Sequence, residues 1–350
     1  MQCRIFSDLS GLNVEDLKSV IMVDDFRLSQ HSGFVLDDKV FDDFVVQQIG
    51  RIKILNFCNQ PYLWCIMEQK TPDIRGLNRV INANLTSYLS FLWFVKDNSV
   101  NLLDTYTYVP EIQQNNFFAR SNGVHFSNCL GEFADVSFTL ENLAFVEEIF
   151  NKIKTLVGML DTQIPVAPLK KGTNIETPRF NQHKYNETNR ISRAITFLQL
   201  ARSQSFLPLK ISFYTAILEC LFTTDSQEVS HKVGERTSYY LGDNDKYDTY
   251  KHIKLAYGLR SKFFHGQRLE NKISDLVKQK ELSKTIDDII RRALTQIIMV
   301  DSKKFLNEDY LEAFINSMLF SSNKPLEEFE AKKEEKGKSK KTNKGWTKEV

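Results

Sequence analysis

What this sequence lacks narrows its function first. It lacks a charge excess: 46 Lys and Arg against 44 Asp and Glu leave a net charge of +2. Any surface for a polyanion must therefore be a local patch. It lacks a metal-ligand pattern. Its five cysteines (Cys3, Cys58, Cys65, Cys129 and Cys220) are odd in number and scattered, with no Cys-x-x-Cys pair and no zinc spacing. Cys58 and Cys65 lie in apolar surroundings, as small buried thiols do. Asp243-Asn244-Asp245 has the start of a calcium loop but not its glycine or closing glutamate, and is expected to be a turn. No metal and no cofactor are called for.

It also lacks a long hydrophobic run. The most apolar segment, Leu85 to Val95, is interrupted by Thr86, Ser87 and Ser90 and stops at Lys96-Asp97, too short to cross a bilayer. The first residues have no basic start followed by an apolar stretch, so no signal peptide is expected. There is no internal repeat. The expectation is a reduced, cytoplasmic protein without a membrane partner.

What is present is enough chain for two domains with separate cores. Residues 1–160 alternate short apolar runs with helical periodicity. Val35–Gly50 and Ile52–Met67 are expected to hold strands, as are Leu102–Val109, Phe117–Arg120 and Val136–Thr139. Leu77, Val80, Ile81, Leu85, Leu89 and Leu92 predict a helix over 75–95, and Leu143 to Val157 predicts another. Residues 161–185, with Pro165, Pro168, Lys170-Lys171-Gly172 and Pro178, are the expected linker.

After the linker only helical periods appear. Ile191 to Ala201 predicts one helix, and Ile211 to Leu221, with Pro208 in its first turn, the next. Asp225 and Glu228 suggest a capping box for a third, which stops at Gly242. A fourth runs from about Lys246 to Phe264, a long one follows through Leu282 to Ile298, and a last one covers Tyr310 to Leu319. The predicted class is thus an α+β N-terminal domain (1–160) for sensing or specificity, a linker (161–185), an all-α bundle (186–320) and a disordered Lys/Glu-rich tail (321–350). Trp346 alone in that tail hints at a docking contact.

The chemistry concentrates in Tyr257-Gly258-Leu259-Arg260-Ser261-Lys262-Phe263-Phe264-His265-Gly266. Arginine binds phosphate through a fixed fork of donors, and histidine exchanges protons near neutral pH. The spacing alone carries little, because Arg120-Ser121-Asn122-Gly123-Val124-His125 shares it. Context separates them. Arg120–His125 sits in a predicted strand and turn, whereas Arg260–His265 ends a helix flanked by Lys251, Lys254, Lys262, Arg268 and Lys272. One geometric objection stands: residues five apart on a helix lie about 140° apart. Arg260 and His265 converge only where the helix distorts or ends between them, or where two chains share the site. Glu219, on an otherwise apolar helix, wants a cationic partner such as Arg260.

Three segments in order carry a resemblance. They are Thr215-Ala216-Ile217-Leu218-Glu219-Cys220-Leu221-Phe222, Glu228-Val229-Ser230-His231-Lys232-Val233-Gly234-Glu235-Arg236, and Tyr257 to Gly266. Together, over roughly residues 186–300, they resemble the HEPN superfamily and within it the Apea-like branch, with its Tyr-x-x-Arg-Ser-x-x-x-His-Gly signature. The resemblance implies a homodimer with signature helices facing each other, and a metal-independent endoribonuclease of the kind found in phage defence and abortive infection. In that reading Arg260 polarises the scissile phosphate and His265 exchanges the proton. Ser261 and Glu219 support them, and Lys262, Lys254 and Arg268 bind RNA. A phage-derived or cellular trigger would act through residues 1–160. A non-catalytic dimerisation or RNA-binding adaptor on the same bundle is the alternative.

Overall fold

The computed structural model describes residues 1–15, 19–21, 26–30, 42–70, 73–156 and 188–332. The expected linker, 161–185, and residues 333–350 of the expected tail lie outside these.

Strand β1 (Gln2–Ser10) is the centre of a six-stranded sheet with β3 (Ser19–Ile21), β4 (Arg27–Ser29), β5 (Tyr62–Glu68), β6 (Asn101–Tyr108) and β7 (Phe117–Ser121), in the order β3-β4-β5-β1-β6-β7. Every pairing in it is antiparallel. Two short strands, β2 (Leu12–Val14) and β8 (Val136–Phe138), pair in parallel beside it. The β1–β6 register slips between Ser7 and Leu9. There Asp8 turns its carboxylate to the Asp104 N–H at 2.9 Å and to Lys53 Nζ at 2.5 Å, so the skipped residue is tied down by its side chain.

Both faces of this sheet are covered. Helix α3 (Ile74–Ser90) lies on one, where Asn78 donates to the Thr105 carbonyl and Asn82 to the Thr105 hydroxyl. The other face carries an aromatic cluster of Phe6, Phe57, Tyr62, Trp64, Tyr106 and Tyr108, roofed by α1 (Asp43–Ile49) and α2 (Arg51–Asn59). These two helices correct the expected strands over 43–59. Asp42 caps the Val45 N–H, and the inward residues lie four apart on the first helix (Val45, Ile49) and three apart on the second (Ile54, Phe57). The strand expected at the end of that stretch is present as β5, and the other predicted strands and the helix on 75–95 appear close to their expected bounds. That helix closes in a 3-10 turn over Phe91–Phe94.

Helix α4 (Leu140–Leu156) follows β8. The second half is helical throughout its described elements. These are α5 (Arg190–Arg202), α6 (Leu207–Phe222), α7 (Val229–Leu241), α8 (Lys246–Phe264), α9 (Leu276–Gln296) running into a π-helical turn (Ile297–Asp301), α10 (Ser302–Phe305) and α11 (Glu308–Leu319). The capping box expected before α7 is absent. Glu228 precedes the helix in a left-handed conformation and its side chain caps nothing. Asp225 accepts instead from the Gln227 N–H and from Lys232. Regular structure also continues past the expected start of the tail: 324–332 is helical, and Phe329 stacks on Tyr310 at 5.0 Å.

Among the described residues the two halves share a core, beside the aromatic cluster of the first half. One apolar cluster runs from Cys3 to Ile315, and a buried polar network fastens it. Asp287, 1% exposed, accepts from Trp93 Nε1 at 2.8 Å and the Tyr214 hydroxyl at 2.7 Å, and pairs with Arg291. Arg202 donates to the carbonyls of Ser90 (2.6 Å) and Asn98 (3.0 Å). Lys210, fully buried, donates to the Ala201 carbonyl at 2.9 Å. No described helix is long and apolar enough to cross a membrane.

Burial pushes the Lys210 ammonium down to about 8 from an ordinary 10.5, opposed by the Asp287 carboxylate. Between those pH values the unfolded chain holds a proton that the folded chain has released, so raising the pH through that window stabilises the fold. Comparing parent and Lys210→Met by denaturant unfolding at pH 7.5 and pH 10, we expect the parent to gain about 2 kcal/mol on the variant at the higher pH. A gap that stays constant with pH contradicts this.

Candidate functional site

The Tyr257–Gly266 stretch forms the last turns of α8 and its cap. Asp245 starts the helix by accepting from the Asp248 N–H at 2.8 Å. At the other end Gly266, with φ of 65°, donates to the Phe263 carbonyl, and the Gln267 N–H donates to the Lys262 carbonyl at 2.9 Å. This is a Schellman closure, which requires the left-handed conformation that glycine adopts without strain. His265 is the capping residue, and its own N–H still bonds the Ser261 carbonyl at 3.1 Å.

That bond decides the geometric question. The helical track is intact from Arg260 to His265, so the separation of about 140° remains. Arg260 turns inward. Its guanidinium meets Glu219 of α6 at 2.5 Å and lies 6.0 Å from the centre of the Tyr257 ring. His265 is exposed at the helix end. The two do not share a cavity within one chain.

Arg260 and Glu219 lie on the wall of an open cleft of about 1330 Å³ formed by α5, α6, α8 and the Thr223–Ser230 segment. Lys254, Gly258 and Ser261 line it as well, whereas His265, Lys262 and Arg268 do not. Lys254 donates to the Ser230 hydroxyl at 2.9 Å. Lys262 faces Glu270 at 3.6 Å, and Arg268 is exposed on the loop after the cap. Of the expected site residues, the structure thus gathers Arg260, Glu219, Ser261 and Lys254 and leaves His265, Lys262 and Arg268 beyond the rim.

The cleft is charge-balanced rather than strongly basic. Arg190, Arg193, Lys254 and Arg260 face Glu219, Asp225 and Glu308, with Phe197, Phe213 and Phe264 between them. Arg190 donates to the carbonyls of Cys220 and Thr223 and to Glu308, covering the C-terminal end of α6. Sequence reasoning missed Arg190, Arg193 and Phe197. Their spacing of three and four is readable, on the flank of the apolar face formed by Ile191, Ala194, Ile195, Leu198 and Ala201. Tyr257 is buried under Arg260. Burial, and then the neighbouring Glu219 charge, pushes its hydroxyl well above the usual phenol range, so it stays protonated. That hydroxyl sits near Glu219 without closing a well-formed hydrogen bond.

The decoy at Arg120–His125 is what the sequence implied. Arg120 pairs with Thr105 at the sheet edge, and the His125 N–H donates to Asn101 in the following loop. A second grouping, Asp97, Cys129 and Asp287, brings three ligand-type atoms within 4.8 Å of one another. It does not fit a metal. Asp97 already accepts from the Cys129 N–H, and Asp287 is taken up by Trp93, Tyr214 and Arg291.

Gly258 is an oddity inside α8. It is exposed, and a Cβ added there would meet nothing within 4 Å. A glycine at a helix interior costs about 1 kcal/mol relative to alanine. Gly258→Ala should therefore raise stability by roughly that amount, read from the denaturant midpoint. A loss of stability would mean that the Cβ meets something in the folded protein. Comparison with known families, curated proteins and solved structures returns no match for this chain, so the HEPN resemblance rests on its three quoted segments.

Proposed function

We propose that this protein is a metal-independent endoribonuclease of the HEPN type, acting as a homodimer. The observation that carries the reading is the disposition of α8. A half-buried arginine, oriented by a carboxylate, lines an open cleft large enough for several nucleotides, and an exposed histidine closes the same helix. Arg260 supplies a cationic fork for a phosphate and its developing charge. His265 is the proton carrier. The ribose 2′-hydroxyl attacks its own phosphorus. The new P–O2′ bond forms, the P–O5′ bond breaks, one proton leaves the 2′-oxygen and one reaches the departing 5′-oxygen. The products are a 2′,3′-cyclic phosphate and a 5′-hydroxyl. Positioning, proton transfer and charge stabilisation are sufficient for this reaction.

The angular separation within α8 bears on how the two residues cooperate. A second copy with α8 across a two-fold axis would place the His265 of one chain near the Arg260 of the other. The same separation favours the other reading, an adaptor that binds RNA without cutting it. In that case the Arg260–Glu219 pair simply ties α8 to α6.

The purified protein should cleave single-stranded RNA in EDTA and leave cyclic-phosphate ends. Arg260→Ala and His265→Ala should each slow cleavage at least about 100-fold, with the dimer preserved in sedimentation. Variants that cut as fast as the parent would remove these residues from the reaction. RNA binding without cleavage by the parent would leave the adaptor.

A further inference from the structure

The outward face of α8 extends well beyond the cleft, and its composition is one-sided. The helix carries Lys246, Lys251, Lys254, Arg260 and Lys262 but a single carboxylate, Asp248, which pairs with Lys251 at 3.1 Å. At about 100° per residue, Tyr247, Lys251, Lys254, Gly258, Ser261 and His265 fall within about 40° of one line along the helix. Tyr247 is 68% exposed, a large share for an aromatic ring. It stacks at 6.3 Å on Tyr250, which is itself fixed by the His231 ring at 2.8 Å, and Lys251 Nζ lies 5.1 Å from the Tyr247 ring centre. The ring is thus held by two neighbours while most of its surface faces solvent. Farther along the same line Gly258 leaves a bare backbone with free space above it.

We propose that this face, from Tyr247 to Ser261, is a track for an unpaired RNA strand. Tyr247 is a base-stacking platform, Lys251 and Lys254 contact successive phosphates, and Gly258 lets the strand approach the helix. The inference rests on the ribonuclease reading and deepens it by fixing the path of the substrate into the cleft. Three features select a single strand. An exposed ring stacks on a base only when that base is free of a duplex. Lysines spaced four and seven positions before Gly258 follow a backbone instead of reading an edge. The track is about 21 Å long, which suits several consecutive nucleotides laid along one helix. Its line also ends at His265, so a strand on it delivers its backbone to the residue that the cleft leaves outside.

The test uses the full chain and a 15-nucleotide 2′-O-methyl oligoribonucleotide, which cannot undergo 2′-oxygen attack, as a single strand and as a duplex with its complement. Fluorescence anisotropy should show that the parent prefers the single strand. Tyr247→Ala should weaken single-strand binding about tenfold, while Tyr247→Phe, which keeps the ring, should bind like the parent. Lys251→Ala should lower the slope of log affinity against log salt by about one. Gly258→Trp should obstruct the strand and weaken it further. Tyr247→Ala and Lys251→Ala proteins that bind like the parent overturn the track while cleavage by the parent still upholds the enzyme. A parent that prefers the duplex also overturns the track. A parent that neither binds nor cuts overturns both.

Discussion

Much of this structure depends on one buried carboxylate. Asp287 sits at 1% exposure where the sheet half meets the helical half, and an unpaired charge there would be prohibitively costly. Its partners come from three directions. Trp93 belongs to the 3-10 turn after α3, Tyr214 to α6 and Arg291 to the next turn of α9. Arg202 closes the same region from α5 by donating to the backbone of Ser90 and Asn98. Removing one partner of such a buried pair typically costs about 3–5 kcal/mol, because the other charge is left stranded. These elements therefore hold fixed positions, and α6 in particular cannot turn without breaking the Tyr214 bond. Glu219 lies on α6 five residues beyond Tyr214, so the network at the junction also sets the direction from which the carboxylate meets Arg260.

That meeting is firm but not irreversible. Side-chain exposures of 32% for Arg260 and 25% for Glu219 put the pair in contact with solvent, where an ion pair contributes about 1 kcal/mol or less. Glu219 engages one guanidinium nitrogen at 2.5 Å, which leaves other donors of the fork for a phosphate. A doubly bonded phosphate–guanidinium contact is the stronger of the two. Glu219 is thus better suited to orienting Arg260 than to blocking it, and the Tyr257 ring beneath limits where the guanidinium can swing.

How much of this was legible in the sequence depended on how local the cause was. The bounds of α8 were readable because they are set by neighbours in the chain: Asp245 caps the start and Gly266 supplies the left-handed residue at the end. The Glu219–Arg260 pair was readable because a carboxylate on an apolar helix needs a cation. The helices over 43–59 were misread, since short apolar runs separated by polar pairs suit a strand until the inward residues are known to be Val45, Ile49, Ile54 and Phe57. The core shared by the two halves was not readable at all. It arises from contacts between residues about two hundred positions apart, such as Trp93 with Asp287, and no local pattern marks them. The cleft's Arg190 and Arg193 were hidden for a related reason: a polar helix face looks solvated unless the neighbouring helix is known to stand off from it.

The angular separation of Arg260 and His265 constrains any chemistry at this site more than the residues' identities do. A helix that continued unbroken past His265 would leave the imidazole on a solvated face with no means of approaching the cleft. A helix that ended earlier would free it from any defined direction. Here the Schellman closure at Gly266 makes His265 the cap of the helix while the Ser261 bond still holds its backbone in register. The histidine is therefore rigidly placed but terminal. Its ring projects where another surface, whether a strand lying along α8 or a second copy of the helix, can come up against it without displacing any part of the fold. Arg260 has the opposite placement, inside the rim and held from two sides by Glu219 and Tyr257. A reacting phosphate served by both residues must therefore be brought to the rim by something that crosses it, and the cleft alone does not complete the site.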